Sequence, residues 1–343
     1  MKWIEPKYSK KQVAKAGSNL LHSELNSDDF RGAVLILHNW RSSHAFPMQI
    51  MLDLLRKNAI RIDRNAVAVQ RLKRVESIFG KLYREKGMSL SRMEDIGGCR
   101  VVVNRIAHVN LISEALKKSR TKHILHRERD YIKSPKESGY RGVHLVFRYT
   151  GGKEIFNGMS VELQIRSKVQ HSWATTVEVV GTYTKQALKA GFGDAKWLEF
   201  FRYVSAEFAK LEGCPVEESL QEVDTFEQVK SLAEELHLRD RLNAFKVATK
   251  ALTQDNEKGA GYFILRLDME ARVVNYSRFG KSQLEAATSF YDQQEQNHKE
   301  DSNIDVVMVS ASSVRDLKRA YPNYFADTEE FEKNLMRVYE ANK

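Results

Sequence analysis

Apolar positions recur at helical spacing through Phe30–Leu54, and the first ~60 residues read as helical. A second helix is expected from about Asn65 to Lys86, ending before Gly87. The run Cys99–Val103 is short and β-branched, which suits a buried strand. An amphipathic helix follows over His108–Lys118, then a strand over Ile124–Arg127 and a long strand over Tyr140–Tyr149, opened by Ser138-Gly139. Thr150-Gly151-Gly152-Lys153 is a turn. Val161–Arg166 alternates strictly between apolar and polar, the signature of a strand. Helices are expected over Val169–Thr184, Asp194–Leu211 and Thr225–Leu252. This order predicts a mixed α/β domain.

After the polar break Gln254–Gly259 the pattern restarts. Tyr262–Leu267 and Val273–Tyr276 read as a hairpin about Asp268-Met269-Glu270. Gln283–Gln296 reads as a helix, Ile304–Val309 as a buried strand, and Val314–Arg319 and Thr328–Val338 as helices. The chain thus divides into an N-terminal helical region (1–60), an α/β domain (61–220), a helical connector (221–254) and a small C-terminal α+β domain (255–343). It shows neither internal repeats nor low-complexity tracts.

Composition narrows the setting. With 42% hydrophobic and 29% charged residues among 343, general disorder is excluded. No stretch approaches the ~18 consecutive apolar residues of a membrane span. Met1-Lys-Trp-Ile-Glu-Pro lacks an apolar signal core, so secretion is not expected. Cys99 and Cys214 cannot build a metal cage or a disulfide framework, and a reducing cytoplasm is the expected location. The net charge of +10 is uneven: residues 221–343 carry −5, so residues 1–220 carry +15. A basic front of this kind attracts polyanions, either nucleotides or nucleic acid.

Four short segments carry candidate chemistry. Lys73, Ser77 and Lys81 are spaced i, i+4, i+8 and would share one helix face, with Arg71 one turn earlier. Such a line could hold a triphosphate, or be a solvated basic face. Asp95-Ile96-Gly97-Gly98-Cys99-Arg100 puts an aspartate before a buried strand, with two glycines permitting close approach of a ligand. In Val161–Arg166 the polar side chains Glu162, Gln164 and Arg166 share one face. They are either solvent-exposed or part of a site. Asp95 and Glu162 on neighbouring strands would make a hard-oxygen site for Mg²⁺. Tyr140 and His144 follow Gly139 on one strand face, where Tyr140 is either a stacking surface for a base or a core tyrosine. His171-Ser172-Trp173-Ala174 opens the next helix.

Taken in order, these segments closely resemble the RelA/SpoT-type synthetase domain of the alarmone synthetases. The resemblance rests on Arg71-x-Lys73…Ser77-Ile78…Lys81, Asp95-Ile-Gly-Gly-x-Arg100, Gly139-Tyr140-Arg-Gly-Val-His144 and Val-Glu162-Leu-Gln164-Ile-Arg166…His171-x-Trp173-Ala174, over residues 60–185. It implies a mixed-sheet, nucleotidyltransferase-like fold flanked by helices. It also implies transfer of the β,γ-pyrophosphate of ATP to a ribose 3′-hydroxyl. By matching positions, Arg71 and Arg100 would sandwich the adenine, and Lys73, Ser77 and Lys81 would hold the triphosphate. Asp95 and Glu162 would bind Mg²⁺, with Glu162 also taking the proton of the attacking hydroxyl. Tyr140 would stack on the acceptor base, with His144, Gln164 and His171 nearby. No His-Asp dipeptide occurs, so the alarmone hydrolase domain of the long bifunctional enzymes is not expected.

Two acceptors fit this chemistry: GDP or GTP, or the 3′-terminal adenosine of tRNA, as in toxic small alarmone synthetases. Val306–Ala311 and Leu317–Thr328 resemble the C-terminal domain of fused toxin–antitoxin proteins of the CapRel type, which favours tRNA. That resemblance implies an inhibitory tail that senses a phage component, with Tyr321, Tyr324 and Phe325 as candidate contacts or as core of the small domain itself. A catalytically silent nucleotide- or RNA-binding regulator is the alternative of another class; intact Asp95 and Glu162 argue against it.

Overall fold

The computed structural model describes residues 3–25, 27–184, 186, 188, 191–243, 261–268, 271, 273–280, 282–298, 304–311, 318 and 327–343, the side chains of Val274, Asp305 and Ala311 excepted. Three helices come first: α1 (Lys10–His22), α2 (Asp28–Ser43) and α3 (Ala45–Ile62). Then follow β1 (Val67–Leu72), α4 (Val75–Arg84), β2 (Gly97–Val103), α5 (Ile106–Lys117), β3 (Ile124–Asp130), β4 (Val143–Arg148) and β5 (Ser160–Ser167). Helices α6 (Lys168–Tyr183), α7 (Ala195–Glu212) and α8 (Thr225–Glu235) close this part. The remainder contributes β6 (Gly261–Asp268), β7 (Val273–Gly280), α9 (Leu284–Asn297), β8 (Ile304–Ala311) and α10 (Glu329–Ala341).

Among the described residues eight strands form one mixed sheet in the order β3-β4-β5-β2-β1-β8-β6-β7. Of these, β2 and β5 alone pair in parallel, Gly98 opposite Glu162 and Arg100 opposite Gln164. The segment expected to be a small C-terminal domain adds β6, β7 and β8 to that sheet, because β8 pairs with β1 at Gln70↔Ser310 and Arg71↔Val309. One apolar cluster packs Leu37, Met51, Leu55, Val101, Phe147 and Leu163 together with Ile264, Tyr291 and Met308 from beyond residue 260. A second gathers Tyr140, Trp173, Phe200 and Phe201 around Phe331 and Val338 of α10. Fully burying a side chain of this size is worth about 1.5–3 kcal/mol, so both ends of the chain are tied into the cores beneath the site. Among the described residues no helix is long and apolar enough to cross a membrane.

The helix expected over Asn65–Lys86 is instead a strand and a shorter helix. Val67, Val69 and Leu72 are buried and β1 runs antiparallel to β2, so pairing overrides the helical reading of the basic run. Helix α4 begins only at Val75, after the N-cap Arg74. Arg71 therefore sits on a strand and Lys73 in the connection, while Ser77 and Lys81 lie on α4. The strand expected from Tyr140 begins at Val143, after Gly142 at φ 149°. The helix expected over Thr225–Leu252 is broken after Glu235, close to His237 in the left-handed region at φ 47°; residues 238–243 are helical again, and 244–252 lie outside the described residues. The helix expected over Val314–Arg319, and Tyr321, Tyr324 and Phe325, lie outside the described residues apart from Lys318.

Candidate active site

Alternation along the strands builds one polar face. On β5, Val161, Leu163 and Ile165 are fully buried in the first core, which turns Glu162, Gln164 and Arg166 to the other side. Register then places Arg71, Gly98 and Glu162 in one row across β1, β2 and β5, and Arg100, Gln164 and His144 in the next row across β2, β5 and β4. The two glycines of β2 serve different needs. A Cβ on Gly97 would come within 3.3 Å of His44 Cβ on the helical side, whereas one on Gly98 would meet only main-chain oxygens at 3.8 and 3.9 Å. Gly97 allows α3 to pack closely, and Gly98 leaves the row between Arg71 and Glu162 uncovered.

A cleft of about 1620 Å³ opens above this face and is lined by ten of the eleven expected site residues: Arg71, Lys73, Ser77, Lys81, Asp95, Arg100, Tyr140, His144, Glu162 and Gln164. His171 is not among them. It is 7% exposed on α6, so the structure gives its expected acceptor contact no support.

Two clusters organise the cleft. In the first, Lys73 Nζ donates to Asp95 Oδ2 at 2.8 Å and Lys81 Nζ to Asp95 Oδ1 at 3.0 Å. Burial favours the neutral carboxyl, but the two ammonium groups outweigh it and hold Asp95 below the usual carboxylate range. The nearby charge of Glu162 acts the other way on Asp95, so the two carboxylates sense one another.

The second cluster is a chain of hydrogen bonds. Arg166 donates to the Tyr140 hydroxyl from Nε at 3.0 Å and Nη2 at 2.6 Å. That hydroxyl lies 2.6 Å from His144 Nε2, and His144 Nδ1 lies 2.9 Å from Glu162 Oε1. Gln164 Nε2 donates to Glu162 Oε2 at 2.7 Å. A guanidinium can only donate, so the Tyr140 proton is directed to His144 Nε2 and His144 donates from Nδ1. This direction suits a neutral imidazole, and burial does lower His144 against the pull of Glu162. Burial also opposes ionisation of Glu162, yet its partners, foremost His144, leave the carboxyl well below its ordinary range. Both the hydrogen bonds and these shifts favour an ionised Glu162 that accepts from His144 Nδ1.

The Tyr140 ring is 4% exposed, and both the Arg166 guanidinium (4.9 Å) and the Lys136 ammonium (5.4 Å) lie over it. Lys136 also lies 4.8 Å from the Tyr131 ring centroid, and burial lowers its affinity for a proton. A base stacking on Tyr140 would have to share or displace these cations. Behind Tyr140, Gly139 sits at φ 85°, where a Cβ would come within 2.9 Å of Ser205 Cβ, and Ser205 Oγ donates to the Gly139 carbonyl at 2.5 Å. This turn fixes where Tyr140 enters the cleft.

Further cations line the cleft outside the expected site residues: Lys136, Arg127, Arg129 and Arg148, together with Arg166, which the sequence placed only on the polar face of β5. Only Arg166 had a visible signal, its place in the alternation of β5. Glu94 gathers part of the rest, with Arg129 Nη2 3.1 Å from Oε2 and His126 Nε2 3.3 Å from Oε1. The arrangement offers cations for several phosphates, and Asp95 and Glu162 as the carboxylates able to take a divalent cation.

The family described as "Region found in RelA / SpoT proteins" matches residues 70–187. GTP pyrophosphokinase YjbM of Bacillus subtilis (strain 168) is 36% identical over 113 residues, which covers 31% of this chain and 51% of that protein. GTP pyrophosphokinase YwaC of the same strain is 32% identical over 115 residues, 31% of this chain and 52% of that protein. The chain spans about half the length of these curated relatives. The crystal structure of small alarmone synthetase 1 from Bacillus subtilis bound to its product pppGpp aligns at 23% identity with a TM-score of 0.43, over 54% of this chain and 94% of that chain. All four motifs that converge on the cleft fall inside residues 70–187, the segment of this chain that matches the region found in RelA / SpoT proteins.

Proposed function

We propose that this chain is an ATP-dependent pyrophosphokinase. The observation that carries the reading is the meeting of Lys73 and Lys81 on Asp95 in a cationic cleft that Glu162 also lines. In the reaction a ribose 3′-oxygen attacks the β-phosphorus of ATP. The bond from that phosphorus to the α,β-bridging oxygen breaks, AMP leaves, and the hydroxyl proton passes to Glu162. Arg71 and Arg100 hold the adenine, and Lys73, Ser77 and Lys81 the triphosphate. Transfer of this kind depends mainly on positioning and charge neutralisation.

Mg²⁺ fits the donor set. It takes one or two carboxylates plus phosphate oxygens and water rather than an all-protein cage. Asp95 and Glu162 supply that pair, and the described residues contain no group of three or more His, Cys, Asp or Glu able to hold a metal by themselves. When bound, the ion would neutralise phosphate charge and acidify the attacking hydroxyl. That acidity matters here, because a carboxylate held as low as Glu162 is by itself a weak base.

The acceptor we favour is the tRNA 3′-terminal adenosine, with GDP or GTP as the second reading. The cleft exceeds the ~300–1,000 Å³ of common small-ligand sites, and its cationic wall continues along β3 through Arg127 and Arg129. Phosphate contacts of that kind dominate RNA binding. The names of the curated relatives favour a guanosine nucleotide. Incubation with γ-labelled ATP, Mg²⁺, GDP, GTP and bulk tRNA together tests both. Label on tRNA or on guanosine nucleotide identifies the acceptor, and label released only as inorganic phosphate would overturn the pyrophosphokinase reading.

The C-terminal segment is read as a restraint on a translation-blocking toxin, released by a phage component. Its support, besides the resemblance to CapRel-type fusions, is that β8 pairs beside Arg71 and that Ile304 lines the cleft. Growth of uninfected cells expressing the full chain tests this. Arrest without infection would count against a resting inhibited state.

A further inference from the structure

Arg41, in α2, belongs to none of the four motifs, yet it is 1% exposed and reaches the site from behind. Its Nε donates to the Lys73 carbonyl at 2.7 Å. Its Nη1 donates to Glu295 Oε2 at 3.3 Å and lies 3.8 Å from Asp292 Oδ1. Its Nη2 donates to the Tyr291 hydroxyl, and the guanidinium carbon lies 4.5 Å from the centre of the Tyr291 ring. The Tyr291 hydroxyl in turn donates to Glu295 Oε1. The acidic and hydroxyl partners all belong to α9, beyond residue 260, whereas the remaining acceptor is a main-chain atom of a site lysine.

Lys73 is held on three sides. Its N–H donates to the Ile96 carbonyl at 2.8 Å, its carbonyl accepts from Arg41, and its ammonium donates to Asp95 at 2.8 Å. The residue lies in the connection between β1 and α4, outside both ladders, so these bonds set where its side chain starts. Burial disfavours the Arg41 charge, and Tyr291, Glu295 and Asp292 maintain it. A buried guanidinium that loses its counter-charges is strongly unfavourable. If α9 shifts, Arg41 must follow or leave, and the Lys73 carbonyl loses its donor.

We propose that Arg41 is a positioning residue for Lys73, and that through it the ATP side of the cleft is set by helix α9 of the C-terminal segment. The inference rests on the pyrophosphokinase reading and deepens it by naming the contact through which that segment acts on nucleotide binding. A lysine cannot replace Arg41, since one ammonium cannot donate along three separate directions in the plane of a guanidinium.

The test uses the full chain with the substitutions Arg41→Lys, Tyr291→Phe and Glu295→Gln. Two quantities should move, binding of a non-hydrolysable methylene analogue of ATP and the KM for ATP; kcat and the acceptor KM are read beside them as controls. Arg41→Lys is expected to weaken analogue binding and raise the ATP KM about tenfold, with kcat and the acceptor KM within about twofold. Tyr291→Phe and Glu295→Gln should move the same two quantities in the same direction. The Arg41→Lys/Glu295→Gln double variant should be no worse than Arg41→Lys alone, since both break one linkage. A folded Arg41→Lys chain that melts earlier but keeps wild-type ATP binding would overturn the inference, as would equal rises in both KM values. Should Arg41→Lys fail to fold, Tyr291→Phe is judged by the same criteria. A wild-type chain that binds no ATP analogue would remove the pyrophosphokinase reading and this inference with it, whereas wild-type binding with unaltered variants removes this inference alone.

Discussion

Glu162 receives a 2.9 Å hydrogen bond from His144 Nδ1, the last link of a donor chain that begins at Arg166 and passes through the Tyr140 hydroxyl. The carboxylate is thereby kept ionised and aimed without being strongly basic. Glu162→Gln retains the shape and an oxygen for His144, but removes the charge and the proposed proton acceptor. We expect kcat to fall at least about 10²-fold, while the affinity for an ATP analogue changes by less than about threefold. Turnover and equilibrium binding of the same preparation check this. Retained turnover would take Glu162 out of the proton transfer.

Gly139 offers a sharper test of how the acceptor side is positioned. At φ 85° an added Cβ is strained, and it would come within 2.9 Å of Ser205 Cβ and 3.2 Å of Arg202 Cα. Gly139→Ala should therefore cost about 2 kcal/mol of stability and displace Tyr140. A lowered denaturant midpoint together with a raised acceptor KM, at an ATP KM within about twofold, is the expected result. An unchanged acceptor KM would show that Tyr140 does not depend on this turn.

His44 predicts an acid-sensitive core. The ring is 1% exposed, 2.7 Å from the Trp40 carbonyl, and burial lowers its pKa to about 4, that hydrogen bond offsetting only part of the effect. In the unfolded chain it titrates near ~6.5. As pH falls, the unfolded state takes up the proton first. The contribution is therefore fully present above pH ~6.5 and is lost as pH falls towards 4. At 1.36 kcal/mol per unit the loss reaches about 3 kcal/mol. Thermal unfolding of the wild type and of His44→Gln between pH 7 and 4 should show the wild type losing more stability over that window. Parallel curves would remove His44 as the cause.

Much of this site could be read from residue order, because strand alternation and short motifs are local. Val161–Arg166 is an observed strand with its polar face turned to the cleft, and the turn at Gly139 leads into it. The expected helix over residues 65–86 holds only from Val75 to Arg84; before it, the basic run from Arg71 fits a helical period but folds otherwise. Pairing with β2 on one side and β8 on the other makes Val67–Leu72 a strand, and those partners lie far along the chain. Arg41 was invisible for a related reason. Its partners are Lys73 and a helix about 250 residues away, and nothing in the local pattern of α2 marks it. The same distance effect hid how the C-terminal segment is attached: beyond residue 260, β8 joins the existing sheet.

That attachment decides what truncation would do. Removing residues 255–343 would strip β8 from β1 beside Arg71 and expose the edge of a strand whose Val67, Val69 and Leu72 are buried. It would take Tyr291, Asp292 and Glu295 from Arg41, leaving a guanidinium with the Lys73 carbonyl but without counter-charges. It would also remove Phe331 and Val338 from the second core. Losing two buried apolar side chains costs about 3–6 kcal/mol by transfer alone, a large share of the 5–15 kcal/mol that holds a typical domain folded. An unpaired strand edge further invites association. The truncated chain should therefore melt at a markedly lower temperature and self-associate, which calorimetry and light scattering would detect, and loss of activity in it would not by itself identify a regulator. A truncated chain as stable and monodisperse as the full one would show that β8, α9 and α10 rest on the preceding part of the chain without supporting it.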